Sequence, residues 1–390
     1  MNFLPSLRSC IFRNPYLPIC KRNISTTGRK TDSLRILFCG SDDFSIASLE
    51  ALEHDRQTNA ATKVESVDVL SLHGKPHGRG LKKIRDVPII KAAEKLDFPI
   101  HNIDHFTRQW QLPPHINLII AVSFGLLIPP RILLAAKYGG LNVHPSMLPD
   151  LRGPAPIHHA LLLKRPFTGV TLQTLHPSKF DHGDILAQTP FPGLPVLPST
   201  RYKELHDTLA GIGAKLLVDA INTSVYDFPR RPMKISEEQM KRITAGKGTS
   251  HAPKITPEEQ EINWAIMSTE EILHRQRVIG PLWDNTIYAA LAEDSSHSRR
   301  VKYTHGFHDD PSVVRQFMDI GKARNLGLQP GDPLIFTYQR PETGHTEDYI
   351  GVKTINGAAI IRGCTLAGGE KDRGVLEMLE MKKKCGPVDE

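Results

Sequence analysis

Asn142 and His144 sit two residues apart in the run LNVH, and Asp181 lies further along in FDHGDIL. An amide, an imidazole and a carboxylate are the groups that acyl transfer to an amine requires when no covalent intermediate forms. The amide stabilises an oxyanion, the imidazole moves a proton to the leaving nitrogen, and the carboxylate holds the imidazole charged. Period-2 alternation in a strand sends Val143 to one face and Asn142 with His144 to the other. At the carboxyl end of a parallel strand, both would face the crevice in which open α/β sheets bind ligands. A polar pair that merely stabilises a turn is the plainer alternative, and spacing alone leaves both readings open.

Other groupings carry less. His144, His158, His159, His176 and His182 crowd around Asp181 in sequence. A metal site is not expected from them, because helical neighbours 158 and 159 point apart and Pro145 and Pro177 mark turns. The stretch GSDDF after the first strand lacks G-x-G-x-x-G, and two carboxylates at that helix start would repel a pyrophosphate, so a nicotinamide cofactor is not expected. Neither G-x-x-x-x-G-K-[ST] nor H-E-x-x-H occurs. Cys10, Cys20, Cys39, Cys364 and Cys385 show no paired spacing, which argues against a disulfide framework.

The positioning elements follow from periodicity. LRILFCG, SVDVLSL and INLIIAVSF alternate with the helical runs FSIASLEALEH, VPIIKAAEKL and RILLAAKY, the pattern of a Rossmann-like parallel α/β sheet. LNVH, TGVTLQTL and DILAQTPF supply later strands, and Tyr202 to Asn222 forms a closing amphipathic helix, giving a first domain over 33–226. Residues 227–250 read as a basic linker. A second domain over 251–390 has a helix around Thr269 to Arg277 and the short runs DPLIFTY, YIGVKTING and AAIIRGCTL, which suggest a small antiparallel barrel of the oligonucleotide-binding (OB) type. Ser295 to His305 reads as an irregular insertion. The longest apolar run, Ile116 to Ile128, is too short to span a bilayer, and no membrane association is expected.

The net charge of +7 is concentrated in the first thirty residues, which hold six basic residues and no acidic one. That composition reads as a transit peptide addressed to the mitochondrial matrix. The remainder is nearly neutral, so any basic surface is a local patch. One such patch is the glycine-containing loop His73 to Asp86, with Lys75, Arg79, Lys82, Lys83 and Arg85 against a single acid. Without further information, a solvated surface loop explains it equally well.

Asn142-x-His144 followed by SMLPDLRGPAPI and then Asp181-x-Gly183 resembles the folate-dependent formyltransferases, and the RGPAPI ending resembles their methionyl-tRNA branch. LRILFCGSDDFSIASLEAL, KPHGRGLKK and HAPKITPEEQEINW resemble that branch's opening strand and helix, its basic loop and the entry to its C-terminal domain. The resemblance implies a formyltransferase domain followed by an OB-like tRNA-binding domain; a monomer is expected, though the sequence itself does not fix the oligomeric state. It places Asn142, His144 and Asp181 at the catalytic positions, with 10-formyltetrahydrofolate as formyl donor. Folate would be held mainly by backbone at Phe124, Gly125, Leu126 and Ile128 and by the loop at Asp184. The acceptor arm of initiator methionyl-tRNA would meet Lys75, Arg79, Lys82 and Lys83, together with Ser146 and Arg152 of the motif. Pro145 departs from the glycine often found there, and HPSKF before Asp181 departs from the family's small residues. A formyltransferase or formyl-folate hydrolase for small molecules, or an inactive RNA-binding homologue, remain the alternatives.

Overall fold

A computed structural model describes residues 32–77, 83–85, 87–292, 298–308, 310–339 and 344–384. The expected transit peptide, Arg79, Lys82 and the side chain of Lys83 lie outside the described residues.

The first domain is built on a seven-stranded sheet of β1 (Leu34–Gly40), β2 (Val64–Leu72), β3 (Ile100–Ile103), β4 (Leu118–Val122), β5 (Gly140–His144), β6 (Thr171–Thr174) and β7 (Ile185–Gln188), in the order β7-β6-β5-β4-β1-β2-β3. The first five strands are parallel, and β4, LIIAV, is buried along its whole length, as expected of a strand covered on both faces. The expectation of a parallel sheet fails at its end: β6 runs antiparallel to β5, and β7 antiparallel to β6. The connection from β6 to β7, residues 175–184, is too short for the helical crossover that a parallel pair needs.

Helices cover both faces. α1 (Asp43–Thr58) starts where Asp42 accepts the Ser45 N–H at 3.1 Å. It packs with α5 (Tyr202–Asn222) on one face, over a core containing Phe38, Leu49, Leu141, Val143, Leu209 and Leu217. The opposite face buries Leu37, Cys39, Ile119 and Ala121 beneath α3 (Pro130–Ala135) and Phe124. α2 (Pro88–Lys95) and α4 (Pro156–Leu162) complete the layers.

Residues 227–250 contain one helix, α6 (Glu237–Ile243), and lead to α7 (Thr269–Ile279), which packs on α4 and α5. His274 Nε2 donates to the Leu161 carbonyl at 3.1 Å across that contact. Beyond it, β8 (Trp283–Asp284), β9 (Val301–His308), β10 (Pro333–Gln339), β11 (Thr346–Lys353) and β12 (Ala358–Leu366) form one antiparallel sheet in the order β8-β9-β12-β11-β10. α8 (Ile287–Ala292), α9 (Pro311–Ala323) and α10 (Gly374–Lys384) flank this five-stranded β domain. The residues read as an irregular insertion include most of β9, which is paired on both sides, by β8 and β12: Val301 and Tyr303 are fully buried. Their alternation breaks where the register shifts around Gly306, and this hides the strand from a period-2 reading.

Candidate active site

The residues of LNVH divide between the two faces of β5. Val143 turns into the core against α5, where a Cβ added to Gly213 would stand 3.0 Å from its Cγ1. Asn142 and His144 turn to the other face; His144 is 5% exposed. Asp181 reaches them from the 175–184 connection, which leaves the sheet beside Leu141 and folds back across that face. The site therefore lies on the sheet face beside β5 and β6, and the carboxylate does not come from beyond a parallel strand end.

Asp181 Oδ1 receives the Asn142 amide at 3.3 Å and lies 3.4 Å from His144 Nδ1. Its other oxygen accepts the Gly153 N–H at 2.9 Å. His144 Nε2 donates to the Leu151 carbonyl at 3.0 Å. Each ring nitrogen thus faces an oxygen acceptor, and a doubly protonated imidazole has a donor for both. The Asp181 backbone takes φ +55°, a left-handed conformation that aspartate tolerates better than most residues.

A fourth member was not anticipated. Gln173, opposite Asn142 in the β5–β6 ladder, is 1% exposed. It donates from Nε2 to Asp181 Oδ1 at 3.1 Å and accepts the Gly183 N–H at 3.1 Å. One side chain thereby fixes both the carboxylate and the turn that carries it. The sequence signal was present, since Gln173 occupies the polar phase of TLQTL, but that phase looks the same as a solvent-facing position.

The motif residues expected to meet an acceptor behave differently from expectation. Ser146 is fully buried and its hydroxyl donates to the Asp150 carbonyl at 2.7 Å. It braces the turn and offers no surface to a macromolecule. Arg152 is half-buried, and its Nε donates to the Asp181 carbonyl at 2.7 Å, which makes it part of the site's frame. Lys75 is exposed, as is Asp184. In the segment expected to hold folate, Phe124 and Ile128 bury their side chains in the second core, Leu126 packs against it, and open space lies beside Gly125. Leu127, 36% exposed, is the one large side chain of 124–128 that faces outward.

The remaining histidines disperse. His159 Nε2 donates to the Pro253 carbonyl at 3.0 Å, and His176 Nδ1 accepts the Ser178 and Lys179 N–H groups, each at 3.1 Å. His158 stacks on Tyr202 with ring centroids 4.1 Å apart. Burial there, assisted by His159 and His206, pulls the His158 ring down to about 4. Among the described residues, no three His, Cys, Asp or Glu side chains converge as metal ligands, and no helix is long and apolar enough to cross a membrane. A cavity of about 730 Å³, lined by Ile262, Trp264, Met267 and Thr286 among others, contains none of the residues around Asp181.

Residues 34–221 match the formyl transferase family. The mitochondrial methionyl-tRNA formyltransferase of Saccharomyces cerevisiae is 34% identical over 314 residues, which cover 72% of this chain and 76% of that protein. The mitochondrial enzyme of Bos taurus is 31% identical over 271 residues, covering 66% of this chain and 62% of its own. The methionyl-tRNA formyltransferase of Bacillus velezensis is 32% identical over 252 residues, covering 63% and 72%. The site and these likenesses lead to one conclusion: the chain belongs to the methionyl-tRNA formyltransferase family.

Proposed function

We propose that the chain transfers the formyl group of 10-formyltetrahydrofolate to the α-amine of methionine on initiator tRNA, as a monomer in the mitochondrial matrix. The observation that carries this reading is the convergence of Asn142, His144 and Gln173 on one oxygen of Asp181, at 3.1–3.4 Å. The names of the relatives supply the acceptor, and two of the three are mitochondrial.

Bound, the folate would supply the formyl carbon and, in N10, the leaving nitrogen. The outward backbone of 124–128 would hold it. Asn142 spends its amide on a long 3.3 Å bond to Asp181, one that a developing oxyanion can outbid. His144 would give a proton to the leaving nitrogen, Asp181 orients the ring, and the proton that the acceptor nitrogen sheds would pass through water to the Asp181 carboxylate. An α-amino group has a pKa near 8, so a large neutral fraction of the acceptor exists without a strong base. Activation of the formyl group therefore matters more than activation of the nucleophile. Lys75 and the exposed Arg231, Lys234, Lys241 and Lys247 of the linker supply charge for phosphates of the acceptor arm.

Formylation measured with charged initiator tRNA, charged elongator tRNA and free methionine tests the reading. Asn142→Ala and His144→Ala should each lower turnover by about 10²-fold or more. Near-parental rates in both variants reject the site, and equal rates with free methionine reject the tRNA acceptor.

A further inference from the structure

The three residues Leu151, Arg152 and Gly153 each touch the proposed catalytic groups: the Leu151 carbonyl accepts from His144, Arg152 Nε donates to the Asp181 carbonyl, and the Gly153 N–H donates to the Asp181 carboxylate. This tripeptide belongs to no long strand of its own. Its other side is paired with the end of the interdomain linker. The Leu151 N–H donates to the Ser250 carbonyl at 2.8 Å, Arg152 and His251 form an isolated parallel bridge, and the Ala252 N–H donates to the Arg152 carbonyl at 2.7 Å. The approach is so close that a Cβ on Gly153, whose φ is +124°, would stand 2.4 Å from the Ala252 carbonyl oxygen.

What fixes the linker in that place is a buried ion pair. Arg165 and Asp150 are each 2% exposed, with Arg165 Nη2 donating to Asp150 Oδ1 at 3.0 Å and Nε lying 3.0 Å from Oδ2. The same guanidinium donates to the Thr244 and Gly248 carbonyls and to the Ser250 hydroxyl, at 2.9–3.0 Å. Asp150 also accepts the Ser250 N–H at 2.8 Å. Two charges removed from water are costly unless their remaining hydrogen-bonding capacity is filled, and here the linker fills most of it, leaving Arg165 Nε without a hydrogen-bond partner. The cation just beyond the C-terminus of α4 thus gathers residues 244–250 and presses residues 250–252 against the tripeptide that holds His144 and Asp181.

We propose that residues 244–252 form a strap of the active centre, with Arg165 and Asp150 as positioning residues that act through it on His144 and Asp181. The linker then does more than join two domains or display cations. Its last residues set the placement of the imidazole and the carboxylate, so displacement of the linker reaches the reacting groups through two hydrogen-bonded layers. The inference rests on the proposed assignment of His144 and Asp181.

Arg165→Lys keeps the charge but loses the fork, and Ser250→Ala removes a single acceptor of the guanidinium. Formylation kinetics of the full chain, with folding followed by thermal melting, should show kcat reduced about 10-fold or more in Arg165→Lys and a few-fold in Ser250→Ala, the loss that misplaced reacting groups bring. KM for charged initiator tRNA should stay within about two-fold in both, and Arg165→Lys should add less than about two-fold to the loss in Asp181→Asn, as expected of residues that act through one another. Unchanged kcat per folded molecule, a loss confined to KM, or full additivity with Asp181→Asn would each overturn the proposal. If Arg165→Lys fails to fold, Ser250→Ala decides alone. His144→Ala, run in parallel, separates the two levels: full activity there defeats the site itself, whereas loss there with intact kcat in the strap variants defeats only the strap.

Discussion

Replacing Gln173 by leucine tests whether the buried amide is a working part of the site. The two side chains are close in volume, so the change removes polar bonds and leaves little cavity. Two interactions go: the 3.1 Å bond to Asp181 Oδ1 and the 3.1 Å bond from the Gly183 N–H. A hydrogen bond to a charged group is worth about 1.5–3 kcal/mol, and an orphaned buried N–H costs about 1–3 kcal/mol. Gly183 is only half-buried and Asp181 keeps the Gly153 N–H, so the lower ends apply and the sum is about 2.5 kcal/mol. For a domain of this size that lowers Tm by roughly 5–10 °C. The carboxylate, released from one of its donors, should also cost about 10-fold in kcat. Thermal melting and formylation kinetics on the same preparation measure both. A variant that melts within about 1 °C of the parent and turns over at the parental rate would refute the claim that Gln173 holds Asp181.

Three further outcomes follow from the same structure. A Cβ at Gly183 would stand 1.7 Å from the Thr174 carbonyl oxygen, so Gly183→Ala must displace the turn carrying Asp181 and should lose activity together with stability; an active, normally melting variant would contradict this. His158 has a folded-state pKa of about 4 against an ordinary 6.5, so below pH 6.5 the unfolded chain takes up a proton that the folded chain refuses. Stability should decline as pH falls from 6.5 toward 4 and level off below, and His158→Phe, which keeps an aromatic ring against Tyr202, should flatten the Tm curve in that window; a parental slope would dismiss the assignment. Affinity for charged tRNA should fall steeply with salt, and Lys234→Ala with Lys241→Ala together should reduce the log–log slope by roughly 1–2, leaving kcat at saturating tRNA unchanged; an unaltered slope would place the phosphate contacts elsewhere.

Much of this was legible in the residues. The continuous apolar strands of the first domain could be read because a doubly covered parallel strand carries no polar phase, and period 2 sufficed to put Asn142 and His144 on one side of β5. Asp181 could be picked out as a carboxylate in a glycine-containing turn, but its arrival beside Asn142 and His144 could not, because no local rule says that a turn after β6 folds back across the sheet. Gln173 escaped because its burial is imposed by that turn, a contact distant in sequence, while the residue itself reads as an ordinary polar strand position. Ser146 and Arg152 were given to the acceptor on the strength of a shared motif, yet one is sealed in a turn and the other is drawn to a carbonyl. The strand at Val301–His308 was missed because its alternation is interrupted by a register shift, and α9 because its apolar residues, Val313 and Phe317, are spaced for a helix inside a region read only for strands.

The reversal of β6 and β7 gathers Asn142, His144, Gln173 and Asp181 into one uninterrupted piece of chain, which invites transplantation of residues 140–188 as a cassette between homologous scaffolds. Such a graft would carry every side chain around the carboxylate but leave behind the peptide of residues 250–252 that lies against Leu151 and Arg152. A recombinant built from that cassette alone joins foreign halves along a backbone seam, so the productive crossover includes the linker end as well.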